Sequence, residues 1–461
     1  MEFLQTRGRD IVTESGKKVY LRGTNIGAWM NMEDFMDGFP GVEHRLRYYA
    51  KETLGKELGE YMFTSLLDRF FTEKDVQYMA SIGVNVLRFP INYRHFEDDM
   101  NPFVYKEEGF RRMDQVMDWC EKYGIYVIID LHAAQGYQNC DWHSDNNMRT
   151  ALLWRTKHFR DRVIALWEKL AERYKDRAVV AAYDLLNEPT TNNQYNRMPL
   201  PYVSDWDAMN SLYHDLYNAI RAIDPKHIIA IEGDDFSRRF CGLDAPYGPN
   251  MIYSSHNYSF VLRRHPDVVK GSDEYYRLLE EEFYDSEWWD YVNKYNVPLW
   301  VSEFALNDGQ LDIFKKEGVH WTSWSLKMVG SFGLLHCKPD SKYMQFIKPV
   351  MDLKSSHFHP SENPAAVKVA ECVEKLQDAV QELFEPILPG FDWFQHIEYF
   401  PKTISDIYVD PLLQHVYLNQ FKGLTKEDID ALMDSFRFEN CEINQEVEAV
   451  HRKYCDGRED S

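Results

Sequence analysis

The chain is short of positive charge. It sets only 52 Lys and Arg against 74 Asp and Glu, a formal net charge of −22 over 461 residues. Nucleic acids and anionic membranes would be repelled by such a surface, so neither is expected as a partner. Cysteine is scarce as well: seven residues (120, 140, 241, 337, 372, 441 and 455), with no Cys-x-x-Cys pair. An odd, scattered set argues against a disulfide framework or a zinc ribbon and suits free thiols in a reducing compartment. No run approaches the roughly 20 apolar residues that a membrane-spanning helix needs. The opening Met1-Glu2-Phe3-Leu4-Gln5-Thr6-Arg7 turns polar before an apolar signal core can form. A cytoplasmic location is expected on these grounds, and with it a substrate small enough to be imported. A Gly-x-Gly-x-x-Gly fingerprint is also missing, since Gly23 and Gly27 do not make one. That weighs against an open dinucleotide-binding sheet.

What the chain has in quantity is apolar mass, 44% hydrophobic and 15% aromatic residues, enough for a large core. Eight short strand-like runs recur, at 19–27, 84–91, 124–133, 179–189, 228–233, 251–258, 298–305 and 320–326. Near-continuous Val- and Ile-rich runs are what parallel strands covered on both faces require. Helical spacing appears between them: Met113, Val116, Met117 and Cys120 share one face, as do Val163, Leu166, Trp167 and Leu170. This alternation predicts an α/β fold, a closed (β/α)₈ TIM barrel. Segments 10–13 and 18–21 flank Glu14-Ser15-Gly16-Lys17 as an N-terminal hairpin, placed to plug the barrel floor. After the eighth strand, 365–384 reads as an amphipathic helix and is assigned as the eighth barrel helix. The catalytic barrel is thus expected at 1–385. A C-terminal, mainly helical extension at 386–461 would pack on it and offer a surface for homo-oligomer contacts. Within that extension, Thr425 reads as a helix N-cap followed by an acidic first turn.

The strands end on polar and aromatic residues: Arg88 on the second, His132 on the third, Asn187-Glu188-Pro189 on the fourth, His256-Asn257-Tyr258 on the sixth, Ser302-Glu303 on the seventh and Trp324 on the eighth. Any single terminal Glu is ordinarily a solvated end. Parallel strands, however, point their C-terminal ends at one rim, where barrel enzymes place their chemistry. The set, in order and each on its own strand, resembles the signature of glycoside hydrolase family 5, in clan A, over residues 10–340. Leu21-Arg22-Gly23-Thr24-Asn25-Ile26-Gly27 is similar to the first strand of many members.

The resemblance implies retaining hydrolysis of β-linked sugars, with Glu188 as acid/base and Glu303 as nucleophile. Such enzymes hold two carboxyl groups about 5–5.5 Å apart across the anomeric carbon. Glu303 is expected to be the ionised member, beside Arg88 and Tyr258. Glu188 is expected to bear the proton, its affinity raised by the charge opposite. Asn187 is assigned to the sugar 2-hydroxyl, His132 and His256 to the sugar or the carboxylates, and Trp324 to stacking against a pyranose ring. Loops after the first and third strands bring Trp29, Glu33, Asp34, Gln138, Asp141, Trp142 and His143 toward the same rim. Of these, Glu33 and Trp142 are taken as substrate-binding. For Glu232, at the end of the fifth strand, a substrate contact and a strand cap stay equally open.

Asp141-Trp142-His143 offers two metal ligands without a third, and the family needs no metal. Neither metal nor cofactor is therefore expected. The substrate is expected to be a short β-linked oligosaccharide cut from its non-reducing end. The leading case is a β-1,4-mannosyl disaccharide such as mannosyl-N-acetylglucosamine, with a β-glucosidase or exo-β-glucanase as the alternative. A non-catalytic sugar-binding barrel is the rival of another class, and the presence of both carboxylates argues against it.

Overall fold

The computed structural model describes residues 1–192, 202–354, 361–389, 391, 393 and 400–455. Eight parallel strands close into a barrel: β1 (Arg22–Asn25), β2 (Val86–Asn92), β3 (Tyr126–Ala133), β4 (Val180–Asp184), β5 (Ile228–Glu232), β6 (Met251–His256), β7 (Leu299–Glu303) and β8 (His320–Ser323). Each pairs with the next in sequence, and β8 returns to β1 through Trp321 opposite Arg22. All eight expected strands are present, most of them shorter than the apolar runs that announced them, because the rest of each run enters a rim loop.

Two-residue periodicity divides the bore into a floor and a rim. Val86, Ile128, Ala182, Ala230, Ile252 and Trp300 belong to one apolar cluster at the floor. Two residues further along the same strands stand Arg88, Asp130, Asp184, Glu232, Ser254 and Ser302, all buried. Side chains at i and i+2 share a face of a strand, so each strand presents an apolar residue below and a polar one above it in the same bore. The floor is sealed from outside. Strands Leu4–Arg7, Asp10–Thr13 and Lys18–Val19 form a small antiparallel sheet, which inserts Leu4 and Ile11 into the floor cluster. The hairpin plug is as expected, with one more strand.

The assignment of the eighth barrel helix needs correction. Helix Pro364–Phe384 buries only Ala366 and Gln377 and exposes Val369, Leu376 and Leu383. The position between β8 and β1 is taken instead by Gln445–Cys455. There His451 Nε2 lies 3.0 Å from Ser323 Oγ, and Arg22 Nη1 donates to the Tyr454 carbonyl at 3.2 Å. Amphipathic spacing reports that a helix has an apolar face, not which surface that face meets. The barrel is thus completed by residues beyond 385, and the extension lies between its eighth strand and its last helix.

The extension packs on the long β1 loop. Asp430 on helix Lys426–Met433 accepts from Tyr61 (2.9 Å) and Ser65 (2.6 Å), and Gln414 on Asp410–Asn419 donates to the Pro40 carbonyl at 2.8 Å. Thr425 caps its helix in a reciprocal box with Asp428. Lys327 ties the parts together. Fully buried, its Nζ lies 2.5 Å from Asp75 and donates to the carbonyls of Phe70 (2.6 Å) and Phe436 (2.8 Å). Replacing it by Met strands the Asp75 carboxylate and two carbonyls, so Lys327→Met should lose about 3 kcal/mol in urea unfolding; an unchanged midpoint would refute this. Among the described residues no helix is long and apolar enough to cross a membrane.

Candidate active site

Arg88 is the hub of the rim. Its guanidinium is fully buried and reaches Asp184 (Nε, 3.0 Å), Glu303 (Nη1, 2.6 Å), Glu232 and Asp130 (Nη2, 3.2 Å each). It also donates to the amide oxygens of Asn25 (3.3 Å) and Asn187 (2.8 Å). A planar fork with five N–H donors suits so many acceptors; an ammonium would not. Arg88 occupies the amide oxygen of Asn187, and the Nδ2 group lies 3.3 Å from His132 Nε2.

Glu303 Oε1 takes the Arg88 donor, and Oε2 accepts from Tyr258 at 2.9 Å. Glu188 stands opposite. One oxygen of each carboxylate and one ring nitrogen of His256 lie within 4.8 Å of one another. The spacing meets the geometric requirement of a retaining pair, and both groups are largely enclosed. Glu188 has a left-handed backbone, φ 48°, which is costly for a residue with a side chain and is kept only where neighbours impose it. Here its N–H donates to Glu232 at 2.7 Å, and its carbonyl accepts from Asn139 at 3.0 Å. Glu232 is therefore neither a substrate contact nor a strand cap: it aims Glu188.

The protonation pattern departs from expectation. Burial would raise the Glu188 carboxyl, but it is outweighed by His256 Nδ1 at 2.7 Å and His143 Nε2 at 2.9 Å, which hold the group well below the usual range. Burial raises Glu303, with His256 and Arg88 opposing. Burial would lower His256, yet Glu303, Glu232 and Glu188 around the ring carry it well above the ordinary imidazole range. At rest, then, Glu188 is held toward its ionised form between the two imidazoles, and His256 toward its charged one. The sequence assigns His256 to the sugar or the carboxylates but gives no sign that His143, from the β3 loop, meets the same carboxylate.

His132 is pinned by Asp130 (Nδ1, 2.7 Å) and lies 3.5 Å from Glu33. Burial opposes its charge, but Asp130 and then Glu33 push it up to about 10, so it is an imidazolium at neutral pH. Its ring stacks on Trp324, with centroids 5.4 Å apart and planes within 12°. Trp324 also borders a cavity of about 170 Å³ with Leu306, Ser325 and Phe332. Glu33 is buried, with Oε1 turned to the His132 ring. Trp142 is half-buried, edge-on to Phe35 and covered by Lys402 Nζ at 3.1 Å from the ring centroid.

The structure thus brings together Arg88, His132, Asn187, Glu188, His256, Tyr258, Glu303, Trp324 and Glu33, with Trp142 on the loop that carries His143. Other loop residues turn away. Trp29 is a core residue donating to the Leu67 carbonyl, Asp34 pairs with Lys354, and Gln138 is a buried strap between the His132 and Asn187 carbonyls. Asn25, Asp130 and Asp184 were missed, although the two-residue period along β1 to β4 marks them. His143 reads in the sequence as a rim-loop residue and as half of a poor metal motif; its contact with Glu188 has no signal there.

The chain matches the family model described as cellulase (glycosyl hydrolase family 5) over residues 58–330. It is 33% identical to a β-xylosidase of Phanerodontia chrysosporium over 477 aligned residues, covering 96% of both chains. An endoglucanase C of Acetivibrio thermocellus is 28% identical over 221 residues, 46% of this chain and 58% of that one. Among solved structures, an endogalactoceramidase superposes with a TM-score of 0.51 at 17% identity, covering 72% of this chain and 76% of that one, a likeness of fold.

Proposed function

The chain belongs to glycoside hydrolase family 5, and on that premise we propose that it is a retaining, exo-acting β-glycosidase of short oligosaccharides that favours β-xylosides. One observation carries the reading of the chemistry: the carboxylates of Glu188 and Glu303 face each other within 4.8 Å, one bonded to a guanidinium and a phenol, the other to two imidazoles. In the first step a Glu303 oxygen attacks the anomeric carbon while Glu188 passes a proton, drawn from His256, to the departing glycosidic oxygen. In the second step Glu188 takes a proton from water, which attacks the same carbon and frees Glu303. Asn187 Nδ2 binds the 2-hydroxyl, where positive charge on the ring strengthens the bond. Glu33 and the charged His132 bind further hydroxyls, and Trp324 meets an apolar ring face.

Exo action is supported by the walls around the rim, built from the β1 and β3 loops and capped at Trp142 by Lys402. The xyloside preference rests on the full-length likeness to a β-xylosidase, which includes the extension. Nitrophenyl β-xyloside, β-glucoside and β-mannoside, each followed by NMR of the newly released anomer, test the proposal. Retention of configuration with the xyloside fastest is expected. Fastest release from the mannoside would return the substrate to mannosyl disaccharides. Inverted product, or activity confined to long polymers, would refute the mechanism or the exo reading. A cytoplasmic location belongs to the same proposal, supported by seven cysteines that are all thiols.

Two further results are expected. His143→Asn removes one of the two imidazoles that lower Glu188, so burial acts with less opposition and the carboxyl holds its proton more tightly. The alkaline limb of kcat/KM, where the acid loses its proton, should move to higher pH; a limb that stays in place would uncouple His143 from Glu188. Treatment with EDTA should leave the rate unchanged. Oxygen atoms of Glu188 and Glu303 that a cation would need are already held by protein donors, and a chelator-sensitive enzyme would contradict that.

A further inference from the structure

His143 reaches Glu188 from the turn Trp142–Ser144 after β3, and what holds that turn comes from two sides. The barrel side supplies Asn31, whose amide donates to the His143 carbonyl at 3.0 Å, and Asn139, whose side chain accepts from Asp141 N at 2.9 Å. The other side is the C-terminal extension. Arg149 is fully buried, one guanidinium nitrogen on Asp141 and the other on Asp406, in the helical turn Ser405–Val409. Lys402 adds its ammonium over the Trp142 ring, 3.1 Å from the centroid, and 3.4 Å from Asp141 Oδ2. Residues more than 250 positions away thus grip the two residues that precede the histidine serving the acid/base pair.

The physics of these contacts makes the grip stiff. A guanidinium bonded on both sides by carboxylates has its fork geometry fixed, and buried charges of this kind tolerate little displacement because an unpaired partner costs several kcal/mol. An ammonium over an indole face adds an attraction that strengthens as water is excluded. Displacement of a catalytic group by about 1 Å can cost on the order of 100-fold in rate, so a remote anchor for His143 is worth having. We propose that Asp406 and Lys402 of the C-terminal extension are positioning residues for the proton-transfer step, holding the 141–143 turn through Arg149, Asp141 and Trp142 so that His143 stays against Glu188. The extension is thereby a working part of the active site. This rests on Glu188 being the acid/base.

The test uses full-length protein and two aryl β-xylosides, a dinitrophenyl glycoside whose departure needs no proton and a phenyl glycoside whose departure does. Glu188→Gln serves as the reference and should lose kcat/KM on the phenyl substrate while keeping it on the dinitrophenyl one. Asp406→Asn and Lys402→Met should show the same split in smaller measure, about tenfold on the phenyl glycoside with kcat/KM on the dinitrophenyl glycoside retained. Asp406→Glu should recover part of the loss. Lys402 is partly exposed, so its variant tests the idea even if Asp406→Asn folds poorly. Equal losses on both substrates, or none on either, while Glu188→Gln splits them, would overturn the positioning role. A Glu188→Gln enzyme without the split would instead remove the acid/base assignment and the inference with it.

Discussion

Glu303→Gln is expected to lower kcat on any aryl glycoside by on the order of 10⁴-fold or more, as loss of a covalent nucleophile does elsewhere. The amide is nearly isosteric and still accepts from Tyr258, whose hydroxyl lies 2.9 Å from Oε2, so sugar binding should persist. It cannot form a stable glycosyl ester. Leaving-group dependence separates this variant from Glu188→Gln: the Glu303 loss should be the same for good and poor leaving groups, because both need the attack at the anomeric carbon. Pre-steady-state bursts should vanish as well. A Glu303→Gln enzyme with substantial activity would end the double-displacement reading and leave a sugar-binding barrel as the better description. Its sugar affinity, measured by calorimetry, would decide between those outcomes.

Arg88→Met should have the largest effect on stability. The one guanidinium touches Asp130, Asp184, Glu232 and Glu303, all within 3.2 Å and all buried. Breaking a single buried pair costs about 3–5 kcal/mol. Here four acids lose their shared cation, against a total stability of about 5–15 kcal/mol for a typical domain, so most of the molecules should be unfolded or insoluble near neutral pH. The sign of the pH dependence follows. Burial and neighbouring acids already raise Asp184 and Glu303 against the pull of Arg88; without it they rise further, and protonation then favours the folded state. The variant should accordingly be closest to wild type near pH 5 and furthest from it near pH 8, in urea unfolding monitored by fluorescence. Arg88→Lys should fall between, because it keeps the charge and loses the fork. If Arg88→Met were as stable as the parent at pH 8, the hub would be redundant.

Much of this site could be read along the chain. The eight strands announced themselves through Val and Ile runs, and the barrel rule then sent Arg88, His132, Asn187, Glu188, His256, Tyr258, Glu303 and Trp324 to one rim. The floor and rim of the bore were also there, in the apolar residue two places before each rim group, as Val86 before Arg88 and Ile128 before Asp130. The strands are legible from their continuous apolar runs, whereas Asp130 and Asp184 follow only from that two-residue period. The helix 364–384 misled for a different reason. Its apolar spacing is real, but the surface beside β8 was already claimed by Gln445–Cys455.

The amino-acid sequence alone determined the barrel and its plugged floor, because strand periodicity and a common strand direction are local rules that repeat. The choice of Glu188 and Glu303 came from the family resemblance of the strand ends. Only the folded chain decided that four acids share Arg88, that Glu232 aims Glu188, and that His143 stands against it with Lys402 and Asp406 behind. Those are meetings between strands, loops and helices separated by tens to hundreds of residues. Their energies depend on distance through a low-dielectric interior, and spacing along a sequence carries no measure of that distance.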